Sequence, residues 1–120
     1  MNDRIRVINH NGKQVLLVDL SKCSANEVEK TVRQVPEHVT GQPRGSVLLL
    51  ADFTGASFDR EALRAMKETA VFNKPHIKKS AWVGADSFPE EFRESLKSFS
   101  RREFPTFETR LEALDWLVED

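Results

Sequence analysis

The stretch Val47-Leu48-Leu49-Leu50-Ala51-Asp52 constrains this chain more than any other. Alternate side chains of a strand point to opposite faces of a sheet, so an unbroken apolar run suits a strand covered on both faces. The run is far shorter than the ~20 residues that cross a bilayer. A sheet covered on both faces needs helices, and the flanking sequence supplies them.

Before the run, Ile5 and Val7 begin an alternating pattern, Asn11-Gly12 follows, and Gln14 to Leu20 is again strand-like. Asn-Gly tolerates positive φ at both positions, so the pattern predicts two antiparallel strands, about residues 4–10 and 13–20. Ser24 with Glu27 three residues later makes a capping box, and Val28, Val32 and Val35 form one apolar helix stripe that Pro36 and Gly41 terminate. After the run, Asp59 caps a second helix with Ala62, Leu63, Met66 and Ala70 inward, ended by Pro75. Residues 81–85 read as a short strand. Asp86 or Ser87 then caps a third helix with Pro89 in its first turn and Phe88, Phe92, Leu96 and Phe99 at helical spacing. Phe104 and Phe107 flank a strand that Pro105 marks as an edge. Thr109 with Glu112 is a second capping box, and Leu111, Leu114 and Leu117 are the inner face of the last helix.

The predicted order is β-β-α-β-α-β-α-β-α. It makes an α/β fold with a mixed five-stranded sheet, an N-terminal antiparallel hairpin, a mainly parallel remainder and four helices. A length of 120 residues, 39% hydrophobic and 31% charged, suits one domain spanning 1–120. The net charge of -1 provides no global basic field, so nucleic acid is not expected as a partner. Met1-Asn2-Asp3-Arg4 lacks the apolar core of a signal peptide, and a cytoplasmic protein is expected. Cys23 is the single cysteine, which excludes an internal disulfide and a cysteine-based zinc site. No activating base is recognisable near it, and a structural or surface thiol is expected.

The segment Val47 to Gly55, then Phe58-Asp59, Ala81-Trp82-Val83-Gly84 and Phe107-Glu108-Thr109 with Glu112 to Leu117, resembles the STAS superfamily, most closely its SpoIIAA-like branch of small bacterial proteins. The resemblance spans nearly the whole chain in element order. It implies a non-enzymatic module that binds other proteins. Anti-sigma antagonists of this kind carry a regulatory Asp-Ser-(Ser/Thr)-Gly at the start of the helix after the third strand, where a phosphate changes charge and sterics. The corresponding stretch here is Asp59-Arg60-Glu61-Ala62, without the hydroxyl. Thr54 and Ser57 are the nearest hydroxyls upstream, and Ser57 reads first as a helix-entry residue.

Several other groupings have a chemical reading. Asp19, Asp52 and Asp86 stand at strand ends, the edge where α/β folds bind ligands, and three carboxylates there would suit Mg²⁺ in a metal-dependent hydrolase. Aspartate also favours turns and caps, Asp19 belongs to the hairpin and can lie apart, and no nucleophile stands at a diagnostic spacing. No metal and no cofactor is therefore expected. The loop Asp52 to Ser57 precedes a helix N-terminus and can accept an anion, but its single glycine and lack of Gly-Lys-Ser/Thr exclude a Walker loop. His10, His38 and His76 are scattered. His76-Ile77-Lys78-Lys79 and Arg101-Arg102 read as solvated edges. The phenylalanine stripe reads as core, while a small-ligand or lipid-binding domain would need an apolar cavity reaching the surface near Phe53, Phe58 or Phe72.

The leading expectation is a regulatory protein-interaction domain without the usual phosphoacceptor motif. Partner or anion contact is expected at Asp52, Thr54, Gly55, Ser57, Asp59 and Arg60, within a surface from Thr54 to Arg64. A protein partner is expected, and the open edge of the first hairpin suits a homo-oligomer.

Overall fold

Asn11 and Gly12 turn the chain first. In the computed structural model, which describes residues 4–85, 88–102 and 104–119, their φ angles are 52° and 81°. Strand β1 (Ile5–His10) thereby folds back on β2 (Lys13–Asp19), with Ile5 opposite Val18 and His10 opposite Lys13. Helix α1 (Ala25–Val39) opens on the expected box: the Glu27 amide donates to Ser24 Oγ at 3.2 Å, and the Ser24 amide to Glu27 Oε1 at 3.0 Å. Pro36 does not end this helix, which runs on to Val39. Proline removes one N–H, but Val35 and Val39 on either side of it are buried, and that burial carries the last turn through.

Strand β3 (Val47–Asp52) is buried at all six positions. Helix α2 (Arg60–Asn73) is capped by Asp59, and Pro75 sits in the 3-10 turn Lys74–His76 that follows it. Strand β4 covers Ile77–Val83, so it begins four residues before the expected 81 and stops short of 85. Lys79, expected at a solvated edge, lies inside this strand. It is accommodated because its ammonium donates to the carbonyls of Trp116 and Glu119, both at 3.0 Å, and lies 4.8 Å from the Trp116 ring centre.

Helix α3 (Glu90–Ser100) has Pro89 at its cap position rather than inside its first turn. The predicted caps Asp86 and Ser87 lie outside the described residues. Strand β5 (Thr106–Phe107) pairs with β4 alone and forms the edge that Pro105 suggested. Helix α4 (Arg110–Leu117) closes the described chain, capped by the Thr109 hydroxyl, which accepts from the Glu112 amide at 3.2 Å.

The sheet order is β1-β2-β3-β4-β5, antiparallel in the first pair and parallel in the rest. Because β2 to β5 advance in one direction, right-handed crossovers place α1, α2 and α3 on the same face. Ile5, Leu16, Val18, Val47, Leu49, Ala51 and Trp82 point to that layer. Val15, Leu17, Leu48, Leu50, Ala81 and Val83 point the other way, onto Ala113 and Leu117 of α4. The unbroken apolar run of β3 is thus divided between two cores.

Three expected inward residues are on the surface. Leu111 is 61% exposed, because residues three apart on a helix drift by ~60° and Leu111 lies far round from Leu117. Phe99 is 58% exposed at the end of α3, with the Lys67 ammonium over its ring. Val7 shares the face of Ile5 but is exposed on the edge strand. The other aromatics do form core: Phe53 meets Trp82 edge-on at 5.0 Å, Phe58 meets Phe88 at 4.7 Å, and Phe104 stacks on Trp82 at 4.6 Å.

Truncating Leu50 and Leu111 in turn should separate the core from the surface. Leu50→Ala, at a fully buried site, is expected to lose roughly 2–5 kcal/mol of stability in urea unfolding, whereas Leu111→Ala should stay within about 0.5 kcal/mol of the parent.

Candidate functional site

Asp19 and Asp52 are register partners at the carboxyl ends of the parallel pair β2 and β3. Asp19 therefore does not lie apart: the hairpin reverses the chain once, so β2 runs alongside β3 and ends at the same edge. Each aspartate starts the same local turn. The Ser21 amide and hydroxyl donate to Asp19 Oδ1 at 3.1 and 2.5 Å. The Thr54 amide and hydroxyl donate to Asp52 Oδ1 at 3.0 and 2.7 Å. Asp-Leu-Ser and Asp-Phe-Thr are two copies of one pattern, an aspartate bonding its own chain two residues on.

What joins the two turns is Arg110, at the start of α4. Its Nε donates to Asp52 Oδ2 at 2.6 Å and its Nη2 lies 3.1 Å from Asp19 Oδ1. One planar guanidinium thus bridges two carboxylates, a geometry that a lysine ammonium does not reproduce. The Asp52 side chain is 7% exposed and that of Arg110 37%. Burial raises the Asp19 carboxyl, but the bonds from Ser21 and the Arg110 charge outweigh it and hold the group below its ordinary value. Burial likewise lowers the Arg110 guanidinium, and the two carboxylates more than reverse this.

This arrangement makes Asp19 and Asp52 the partners of the Arg110 guanidinium. Asp86 lies outside the described residues, and among those described no group of three metal-ligating side chains forms. His10 lies 2.8 Å from Asp115 Oδ1, and His76 Nδ1 is 3.0 Å from the Gln42 carbonyl.

The remaining candidates follow Asp52 along the edge. Thr54 is exposed, yet its hydroxyl is engaged by Asp52. Gly55, at a φ of 71°, lies against Lys22, and the Lys22 amide donates to the Thr54 carbonyl at 2.8 Å. The Ser57 amide donates to the carbonyl of Cys23 at 2.9 Å, and its side chain lies on an exposed residue. Asp59 accepts from the Ala62 amide at 2.8 Å, so the first turn of α2 has a carboxylate on it already. Arg60, Glu61 and Arg64 are exposed beside it. Gly84 supports the loop from β4: a Cβ there would come within 2.6 Å of the Thr54 amide nitrogen, and its φ is 69°.

One residue was missed by the sequence reading, and one expectation needs correction. Arg110 carried no motif in the sequence. The signals that could have found it are the repeated Asp-x-Ser/Thr and a cation in the first turn of a helix, where the dipole favours acids. The basic pairs are also not simply solvated edges. Lys78 and Arg101 are exposed, but Lys79 is bound to the end of α4. Arg102 donates through Nη1 to the Ala70 carbonyl at 3.1 Å and through Nη2 to Ser80 Oγ. Cys23 is buried, and that burial pushes its thiol up, away from a nucleophilic thiolate.

Arg110→Ala leaves Asp52 buried with no cation. A loss of about 2–4 kcal/mol in urea unfolding is expected, with Arg110→Lys recovering only part of it. The Asp19 contribution has a defined pH dependence. Its folded pKa lies below the unfolded value, so the stabilisation is present above about pH 4 and is lost as pH falls through the folded pKa. The stability difference between the parent and Asp19→Asn should accordingly be full at neutral pH and shrink below about pH 4. A difference that does not change between neutral pH and about pH 2 would contradict the ion-pair assignment.

A search of curated proteins finds no match. Among solved structures, an uncharacterised protein from Shewanella loihica with a SpoIIAA-like fold superposes with a TM-score of 0.67 at 20% identity, covering 94% of this chain and 91% of that one. Its likeness carries the fold. The SpoIIAA-like family profile matches residues 4–118, the same span over which the strands, both cores and the Arg110 bridge are built. The chain belongs to the SpoIIAA-like family.

Proposed function

We propose that this protein is a non-enzymatic regulatory domain of the bacterial cytoplasm that binds another protein through the surface from Thr54 to Arg64. The observation that carries this reading is the contrast along the carboxyl edge of the sheet. Asp19, Asp52, Ser21 and Thr54 are spent on one another and on Arg110. Arg60, Glu61 and Arg64 stand exposed on the first turns of α2. Hydrogen bonds already made hold the loop in one shape, and a preformed loop loses little entropy on binding. Alternating charges on its rim set partner choice and encounter rate more than affinity.

Membership of the SpoIIAA-like family supports a protein partner. A phosphate-controlled switch receives less support, because Arg60 and Glu61 occupy the positions where the resemblance would put hydroxyls and the Thr54 hydroxyl already donates to Asp52. A lipid-binding role is not favoured either. The cavity lined by Phe53 measures about 70 Å³, and Phe58 and Phe88 fill the space beside it. No helix among the described residues is long and apolar enough to cross a membrane. The edge strand β1, with Val7 60% exposed, is where a second copy would add.

The test is in-cell photocrosslinking from position 64, comparing the parent surface with Arg60→Glu/Glu61→Lys. A discrete crosslinked partner that falls at least about tenfold in the reversed-charge variant is expected, since like charges facing each other cost several kcal/mol. Equal recovery from both proteins would remove this surface from consideration.

A further inference from the structure

The layer between the sheet and helices α1 to α3 holds a cavity of about 70 Å³. Most of its wall is apolar, including Val18, Leu49, Met66, Trp82 and Leu96. Its polar groups are Arg102, Ser80, Asn73 and Thr69, and among the described residues no acidic side chain lines it.

Three of these groups have capacity that the fold does not use. Asn73, in the last turn of α2, is 5% exposed, and its Oδ1 has no hydrogen-bond donor. A buried acceptor left so is a cost to the fold that a donor would remove. Arg102 spends two N–H groups, one on the Ala70 carbonyl and one on Ser80 Oγ, out of the five that a guanidinium carries. It lies over the Phe104 ring at 4.9 Å, and no carboxylate pairs with it among the described residues. Burial pushes its pKa down to about 10, the direction an unneutralised cation takes in an apolar setting. Ser80 is 5% exposed and accepts from Arg102, which leaves its hydroxyl proton available to an acceptor.

An occupant must therefore bring negative charge to Arg102 and Ser80, a hydrogen-bond donor to Asn73, and a short apolar body. A volume of ~10–15 Å³ suits one water-sized centre, so the cavity has room for about five to seven atoms. We propose that this cavity is a binding site for a short aliphatic hydroxycarboxylate, with the carboxylate on Arg102 and Ser80 and the hydroxyl donating to Asn73 Oδ1. A plain carboxylate satisfies the first requirement and not the second, and an alcohol the reverse. Specificity for the hydroxy acid follows from the penalty of leaving a buried polar group unpaired. On α2 the site is lined by Met66, Thr69, Ala70 and Asn73, whereas the surface of Thr54 to Arg64 takes the first turns of that helix, and the proposal does not rest on partner binding there.

The test is titration of the full chain with 2-hydroxybutanoate and lactate, followed by backbone amide NMR shifts, with butanoate and butanol as controls. Saturable shifts at Asn73, Ser80 and Trp82 are expected, with butanoate at least about tenfold weaker. Asn73→Leu replaces the unpaired amide with an apolar group of similar volume, so it should fold with a Tm equal to or above the parent. It should lose the preference for the hydroxy acid over butanoate. Arg102→Met should weaken both acids together. If that variant unfolds, Asn73→Leu decides alone. No saturable shift, equal affinity for butanoate, or a preference that survives Asn73→Leu would each overturn the proposal and leave the cavity to ordered water only.

Discussion

Two aspartates side by side at the ends of parallel strands are a liability. Adjacent strands lie ~4.8 Å apart, and two like charges at about 5 Å repel by roughly 3 kcal/mol at an effective dielectric of 20. The register that pairs Leu16 with Leu49 and Leu17 with Leu50 forces Asp19 next to Asp52. Slipping that register by one residue would send the whole of β2 to the wrong faces, so the hydrophobic pattern wins and the carboxylates have to be neutralised in place. Arg110 does this, and the position of the last helix depends on it.

Helix α4 shows how far that dependence extends. It buries only Ala113 and Leu117 fully, yet it covers the second face of the sheet. Polar contacts at both of its ends make up for the small apolar contact. Arg110 fixes the first turn to β2 and β3. At the other end, Lys13 donates to the Val118 carbonyl at 3.0 Å, and Lys79 donates to those of Trp116 and Glu119. Cations at the last carbonyls of a helix also suit its dipole. Leu50 and Leu17, at the centre of the second core, are thus covered by a helix that charged groups at the rim hold in place.

The scaffold was legible because it rests on local rules. Asn11-Gly12, the Ser24 box, the Asp59 cap and the two-sided apolar run each specify their element without help from distant chain. The inner face of α4 was legible in part: Leu114 and Leu117 pack on the second core and Leu111 does not, because a short helix in contact with a sheet at few positions does not display its orientation in a leucine spacing of three. Pro36 was misleading for a related reason: burial of Val35 and Val39 depends on where the sheet lies, and no local rule contains that. The site was legible in half. The edge, Asp52, Thr54 and the cap residue Asp59 could be placed from strand ends and helix starts. Arg110 could not, since its partners are 58 residues away or further.

The two ends of the sheet consequently use arginine in opposite ways. At the carboxyl edge, one guanidinium serves two carboxylates, and every group involved gains a partner. Arg110 is there held above its ordinary pKa. On the helix-covered face, Arg102 is bound by a carbonyl, a hydroxyl and an aromatic ring, all neutral, and burial lowers its pKa. The first arrangement is electrostatically closed, and a ligand there would have to displace an existing ion pair before gaining any contact. The second holds no carboxylate among the described residues, so its guanidinium keeps donors that no acidic group takes up there. The Arg110 bridge therefore leaves to a partner at the carboxyl edge only the exposed groups beyond it, Arg60, Glu61 and Arg64, whereas Arg102 keeps unused donors inside the helix layer.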